Sequence, residues 1–462
     1  MIASETSACH PTNSSSRSHR LSSFKVVVLC SWFASPASAM SLIEAYQSAL
    51  QHDAGYQSAL RENEAGQESR AIGKANLLPN LSLSYSHSKS NAERTSTNPD
   101  GSRFSDSPSY VSKALTLSLR QPLFNMDALA RYRQGNTQAS YSDALFIGKS
   151  QELITRLSAT YFDALLAEDQ LRLATAQSNA LIENMTGNER LLEKGAGTRT
   201  DVLESRARFE LAQAQVIEAR DIVTNTRNAL AMIIGRDPGA LDTMRTDISP
   251  MSLTPATLTE WESTARAANP DIVTRRYTSE YAELEVARTK AGHMPRVDLV
   301  ASHSRNTADS IYTFNQESTI DLIGVQIIVP LYAGGVVNAQ TRQAAARFEG
   351  ARADLDASTN KALLEIRKQF DLLNSSQLRI AALLKAEQSA LQLIEATQKS
   401  INGGVRINLD VLNATQQLFA TRRDLARAQH SYLMAYLQLR AAAGVLDMTD
   451  LMKISAYFRQ AS

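Results

Sequence analysis

Cysteine is almost missing from this chain: among 462 residues only Cys9 and Cys30 occur, both close to the N-terminus. A fold stapled by disulfides is thereby excluded, and so are thiolate metal sites. Aromatic residues make up only 6% of the chain, while alanine is abundant, as in long packed helices rather than in a globular core. No uncharged apolar run reaches the roughly eighteen residues that a membrane-spanning helix needs. Neither charge sign dominates, with 48 basic against 47 acidic residues. A nucleic-acid binder would show a basic excess or stripe, so that class is set aside.

Catalytic signatures are also missing. There is no His-Glu-x-x-His, no Gly-x-Ser-x-Gly, no phosphate-binding glycine loop and no cysteine pair. Beyond the N-terminal segment the histidines are His52, His87, His293, His303 and His430, widely scattered. His87 and His303 hold equivalent places in two related stretches, which leaves open a metal pair or a position on a membrane interface or lumen. No enzyme activity, cofactor or metal is expected.

Periodicity is what the sequence does have. Leu363, Ile366, Phe370, Leu373, Gln377, Ile380, Leu384, Glu387, Leu391, Ile394, Gln398 and Ile401 step by threes and fours without a slip. That is a heptad seam. Asn402-Gly403-Gly404 interrupts it, since glycines are costly inside a helix. The pattern resumes from Val411 through Leu418, Leu425 and Tyr432 to Leu439 and Ala443. These stretches predict a long helical hairpin with its tip near Gly404. The polar seam residues Gln377, Glu387 and Gln398 are read as setting register or lining a wet tunnel.

The same hairpin occurs twice. Gly195 and Gly235 are forty residues apart, as are Gly404 and Gly444, and Asp201-Val202-Leu203 answers Asp410-Val411-Leu412. Gln121-Pro122-Leu123-Phe124 answers Val329-Pro330-Leu331-Tyr332, and Ser86-His87-Ser88 answers Ser302-His303-Ser304. The offset is 216 residues before the polar loops, 208 at the proline and 209 beyond it. Length alone would suggest about two or three domains, but a tandem duplication of roughly two hundred residues explains the pattern better. The predicted order is a signal peptide over 1–39, a first repeat over 40–235, a linker over 236–257, a second repeat over 258–444 and a tail over 445–462. The signal reading rests on Arg17, Arg20 and Lys25 ahead of the apolar run Val26 to Phe33, with Ala37-Ser38-Ala39 as a small-x-small cleavage site.

Within the repeats, alternation predicts strands near 80–90, 110–121, 296–305 and 319–329. Helices are predicted over 41–77, 124–194, 200–234, 258–291, 331–401 and 410–443. The helix over 124–194 holds no proline and would be roughly 105 Å long. Each flanking helix is about half as long, so two can lie end to end along it. Apolar-out, polar-in segments of about ten residues are the signature of an outer-membrane strand, although locally a half-buried sheet fits as well. Four strands are too few for a membrane barrel, whose smallest known form has eight, and an open edge in lipid leaves backbone groups unsatisfied. Copies of the chain must therefore combine, two giving eight strands and three giving twelve.

The twice-given order of short helix, strand pair, long helix, glycine tip and Asp-Val-Leu resembles the TolC outer-membrane efflux family. Leu42-Ile43-Glu44-Ala45-Tyr46, Leu77-Leu78-Pro79 and Asn408-Leu409-Asp410-Val411-Leu412-Asn413-Ala414 look most like its type I secretion branch, which includes the alkaline-protease secretion proteins. The resemblance covers residues 41 to 446. It implies a mainly α fold with a membrane β-barrel portion: a homotrimer with a twelve-stranded barrel and a twelve-helix periplasmic tunnel. It also implies transport without chemistry, in the outer membrane, with a periplasmic adaptor, an inner-membrane ABC transporter and a secreted protein as partners. By motif, the ring acid of the periplasmic gate falls on Asp410 and its neighbour one turn on is Asn413. The linking arginine falls on Arg406, with Thr200 and Asp201 as opposing groups, and Ile401 stands where the family has a tyrosine. Gly195, Gly197, Gly403 and Gly404 form the helix-tip turns. From the residues alone, Asp410 reads as a helix N-cap rather than a ring acid, and the resemblance makes the two roles comparable. Two rival readings stay open: the duct of an RND-type drug efflux pump, and a periplasmic coiled-coil adaptor without a barrel.

Overall fold

The computed structural model describes residues 39–245, 251, 253–309, 316–402 and 408–459. Residues 1–38 of the expected signal peptide, with both cysteines, fall outside these residues, as do Gly403, Gly404 and Arg406.

The first repeat opens with α1 (Leu42–His52), α2 (Ala54–Gln67) and α3 (Ser69–Ala75), where a single helix over 41–77 was expected. The break lies at Asp53, whose extended backbone (φ −68°, ψ 112°) ends α1 and caps α2. Its carboxylate accepts from the Tyr56 N–H at 2.8 Å and from Arg156 at 2.8 Å. A side chain that can satisfy a fresh helix start competes with continuing the old helix. The second repeat breaks at the matching place, 216 residues on. There α6 (Leu258–Ala268) gives way to α7 (Pro270–Lys290). Asn269 caps α7 through the Ile272 N–H at 3.1 Å, and Pro270 occupies the first helical position, where its missing N–H costs nothing.

Strand β1 (Asn80–Asn91) follows, then β2 (Arg94–Thr97), β3 (Arg103–Asp106) and β4 (Ser109–Phe124). The polar loop expected here is thus partly a hairpin, with Arg94 paired to Asp106 at 2.7 Å and Gly101 at φ +82° in its turn. Helix α4 (Met126–Glu193) runs 68 residues, about 100 Å, and turns into α5 (Arg199–Ile234). After β5 (Thr243–Met244), α6, α7 and a short 3-10 turn come β6 (Arg296–Ala308) and β7 (Glu317–Ile328). Then α8 (Val336–Asn402), α9 (Asn408–Ala442), α10 (Met448–Ser455) and β8 (Phe458–Arg459) complete the chain. Helix α8 starts five residues later than expected because Gly334 and Gly335 take φ +60° and +79°, leaving Leu331 and Tyr332 exposed ahead of it.

The flanking helices lie end to end along α4. Gln67 reaches Asp143 at 2.6 Å, Arg156 reaches Asp53, and Arg227 near the end of α5 reaches Glu168 at 2.9 Å. Close approach of α3 and α4 requires glycine on both sides. A Cβ on Gly135 would lie 2.4 Å from the Ser69 carbonyl and 3.0 Å from the Gly73 Cα. Gly135→Val is therefore expected to destabilise the protein by about 1–3 kcal/mol through overpacking. Thermal unfolding followed by circular dichroism checks this, and an unchanged midpoint would refute the close approach.

The main core lies where α1, α4, α5, α6 and α9 converge. It holds Leu157, Tyr161, Leu230, Trp261, Leu433 and Leu437, each fully buried. The tail, for which no element was predicted, completes this core: α10 inserts Leu451 and Ile454, and β8 pairs with β5 from the linker. Asp450, fully buried, accepts from Arg440 at 2.8 Å and from the Tyr436 hydroxyl at 3.0 Å. Burial and this carboxylate both push the Tyr436 phenol above its usual range.

Candidate functional site

Strands β1, β4, β6 and β7 form one antiparallel sheet in that order, and among the described residues β1 and β7 pair on one side only. Register and alternation separate its faces. One carries Leu81, Leu83 and Tyr85 beside Leu119, Leu117 and Leu115, then Val297, Leu299 and Ala301 beside Ile327, Val325 and Ile323. The other carries Ser82, Ser84 and Ser86 beside Ser118, Thr116 and Ala114, then Ser302, Ser304 and Asn306. Ser82 and Ser118 hydrogen-bond at 2.7 Å, and Ser84 donates to the Thr116 carbonyl. Strand β7 mixes its faces most, with Ile320 and Leu322 on the hydroxyl side, and β6 places Val300 there as well.

On the apolar face the polar boundary falls at His87 on β1, Lys113 on β4, His303 on β6 and Asp321 on β7. Lys113 is in register with Thr307, four residues beyond His303, so the boundary crosses the strands obliquely. Strands tilted against a flat lipid surface give that slope. His87 and His303 both stand on this face, separated by β4, and are not brought together. His303 instead pairs with Asp321 at 2.5 Å. Among the described residues no cluster of three His, Cys, Asp or Glu is placed to hold a metal. At the lower end of the sheet Arg120 pairs with Asp298, which is 1% exposed.

The α8/α9 hairpin shows what its polar seam residues do. Gln377 donates to the Tyr432 hydroxyl at 3.1 Å, and Arg422 donates to Glu387 at 2.7 Å, each pair crossing between the two helices. Between them Ile366, Leu373 and Ile380 are buried, whereas Leu384 and Leu391 are nearly half exposed. A one-sided seam of this kind leaves surface for a further helix. Where α9 crosses α4, His430 is buried beside Phe162, with Asp169 at 3.6 Å. Burial raises the carboxyl of nearby Asp163 above its ordinary range.

The first hairpin tip is built from its glycines. Gly195 takes φ +72° and its N–H reaches the Leu192 carbonyl at 3.0 Å. Gly197 is closely packed: a Cβ there would lie 3.0 Å from the Leu192 nitrogen. Thr198 then caps α5 in a capping box with Asp201, whose carboxylate accepts from the Thr198 hydroxyl at 2.6 Å. Asp201 therefore serves its own helix, and Thr200 is exposed on the first turn.

Asp410 is the third residue of α9, the place Asp201 holds in α5, so it is not the N-cap residue. A carboxylate there still complements the helix dipole. Ile401 lies half-buried in the last turn of α8. Asn413 is exposed and receives a hydrogen bond from Arg208 on α5 at 3.0 Å. Reasoning from sequence missed Arg208, because its partner belongs to the other repeat and no periodicity links the two.

These features have known counterparts. The family model described as outer membrane efflux protein matches residues 45–236 and 261–445, one stretch for each repeat. The chain is 42% identical over 426 residues to the alkaline protease secretion protein AprF of Pseudomonas aeruginosa, covering 91% of this chain and 88% of that protein. It is 38% identical to the proteases secretion protein PrtF of Dickeya chrysanthemi, covering 94% and 95%. Among solved structures, the outer membrane protein VceC from Vibrio cholerae shares the fold, with a TM-score of 0.75 at 21% identity, covering 87% and 96%. With both repeats matched and the nearly full-length similarity to AprF, this chain belongs to the outer membrane efflux protein family.

Proposed function

We propose that this chain forms, as a homotrimer, the outer-membrane exit duct of a type I protein secretion system. One observation carries the duct reading. A four-stranded sheet with one lipid-type face, one hydroxyl face and two unpaired edges stands on helices about 100 Å long. Pairing β7 of one copy with β1 of the next removes the edges, and three copies supply twelve strands, enough for a barrel around an aqueous lumen. The hairpins then continue the barrel as a twelve-helix tunnel through the periplasm. Passage of protease substrates, driven by an ABC transporter through a periplasmic adaptor, is supported by the names of AprF and PrtF, both protease secretion proteins. Those names give no support to a drug-efflux duct.

In a strain lacking its own exit duct, this chain should restore export of a protease carried by an ABC transporter. Trimers that form but export nothing would overturn the secretion reading. Topology is tested separately. Cysteine placed at Ser102, in the β2–β3 turn, should react with an impermeant maleimide on intact cells, whereas cysteine at Ala196 should not. Equal labelling of both would sink the arrangement.

A further inference from the structure

We propose that the α-ammonium of Met40, created when the leader is removed, seats beside the buried carboxylate of Asp242 and supplies the cation that this part of the core lacks. The amine exists only if the chain is cut after Ala39, as the signal-peptide reading has it; the seat does not depend on the duct reading.

Met40 directly follows Ala37-Ser38-Ala39 and is built into the main core. It pairs in parallel with Leu241, its N–H donating to the Ala240 carbonyl at 2.7 Å. Its carbonyl accepts from the Asp242 N–H at 3.5 Å and from the Tyr161 hydroxyl at 2.8 Å. Ala39 and Met40 are 3% and 5% exposed, so the bond between them can be cut only before this core closes. Among the described residues four acids are buried: Asp53, Asp242, Asp298 and Asp450. Three of them face an arginine, namely Arg156, Arg120 and Arg440. Asp242 has no such partner, and its Oδ1 is buried without a hydrogen bond. Burial, and then the charge of Glu44, hold its carboxyl above the usual range. Glu44 itself accepts from the Ser41 N–H at 3.2 Å, one residue beyond the new terminus.

In the uncut chain the Met40 nitrogen is a neutral amide with a single hydrogen, already given to Ala240. Hydrolysis adds water across the Ala39–Met40 bond: the C–N bond breaks, the hydroxyl goes to the Ala39 carbonyl carbon, and the nitrogen takes the proton. An unperturbed α-amine has a pKa of about 7.7–8.0, so near neutrality it binds a further proton and becomes an ammonium. One of its donors keeps the Ala240 carbonyl, and the others are left for Asp242 and Glu44. The arriving charge favours the ionised form of Asp242, and charge-assisted hydrogen bonds are about twice as strong as neutral ones. A chain that keeps its leader leaves Asp242 without a cation, and a buried charge without a partner is costly. Cutting the leader therefore completes this core. The other groups near the seat lie on α4: Tyr161, whose phenol is pushed above its usual range by burial and Asp242, and Glu168, held by Arg227.

The test uses the full mature chain purified from outer membranes. Intact mass should show Met40 as its first residue, and any other start would overturn the proposal. Trace labelling with acetic anhydride across pH then reads the amine, because the tryptic peptide from Met40 to Arg61 contains no lysine. In the folded protein its midpoint should lie about one pH unit above that of the unfolded chain, a tenfold change in proton affinity. Burial alone would lower it, so a rise reports the carboxylate. Asp242→Asn should bring the midpoint back to the unfolded value or below. With the folded pKa raised, the stability the ammonium contributes is full below about pH 7.7 and is lost as pH rises through the folded midpoint. Over that range the thermal midpoint of the wild type should fall more steeply than that of Asp242→Asn. Equal amine midpoints in wild type and Asp242→Asn would overturn the seat. If Asp242→Asn fails to assemble, the wild type decides: a folded midpoint above the unfolded one supports the seat, and one at or below it overturns it.

Discussion

Asp450→Ala should destabilise the protein by on the order of 3–5 kcal/mol, the usual consequence of removing one partner of a buried ion pair. The carboxylate is fully buried and the Arg440 side chain is 16% exposed, so the arginine would be left charged with one remaining acceptor, the Val445 carbonyl at 2.9 Å. Tyr436 would lose its hydroxyl acceptor at the same time. Helix α10 would further lose half of its capping box, because Asp450 accepts from the Asp447 N–H. The expected readout is a lower unfolding midpoint in detergent and earlier proteolysis at the C-terminal end. Asp450→Asn keeps the volume and part of the hydrogen bonding and should fall between the two. A midpoint within experimental error of the wild type for Asp450→Ala would show that the tail contributes nothing to the core.

Asp410→Asn is expected to fold and assemble normally while losing much of its sensitivity to trivalent cations. Asp410 stands in the first turn of α9, where the dipole contribution of a carboxylate is about 0.3–1 kcal/mol, a small loss for a core of this size. If three copies surround the tunnel axis, their carboxylates focus negative potential in a narrow throat. Removing that charge should weaken block from the periplasmic side about tenfold or more. Single-channel recording against a concentration series of trivalent ion measures it. Block that is unchanged in Asp410→Asn would mean that the acid serves only its own helix.

The long helices were legible because heptad spacing is a direct record of packing, and Ile366, Leu373 and Ile380 are buried as that record requires. The duplication was legible too, and alternation placed the strands to within a few residues. The bends at Asp53 and Asn269 were not. Each is one residue whose side chain prefers to start a helix, and the surrounding periodicity outvotes it when read alone. Pro270 was a usable signal, and Asp53 sits at the matching place of the first repeat. The tail escaped because the two apolar residues that bury α10, Leu451 and Ile454, are too few to show a period. At the tip the glycines and Asp201 were recognised from their spacing, but Asp201 proved to be tied to Thr198. Arg208 could not be found, because a hydrogen bond between repeats leaves no pattern in either.

The hydroxyl face of the sheet bears on how an unfolded polypeptide would travel. Ser82 and Ser118 already satisfy one another, and Ser84 is turned to the Thr116 carbonyl. These hydroxyls have little left to offer a passing chain, being neutral, short and already engaged, and Ile320 and Leu322 on β7 offer it no hydrogen bond. Arg120 and Asp298, at the lower end, largely cancel each other. Substrate sliding past would exchange one water-like neighbour for another, with no residue type held longer than the rest. Friction in a barrel built from this sheet is then nearly independent of the cargo's sequence, and selection among cargoes must occur before the cargo arrives there.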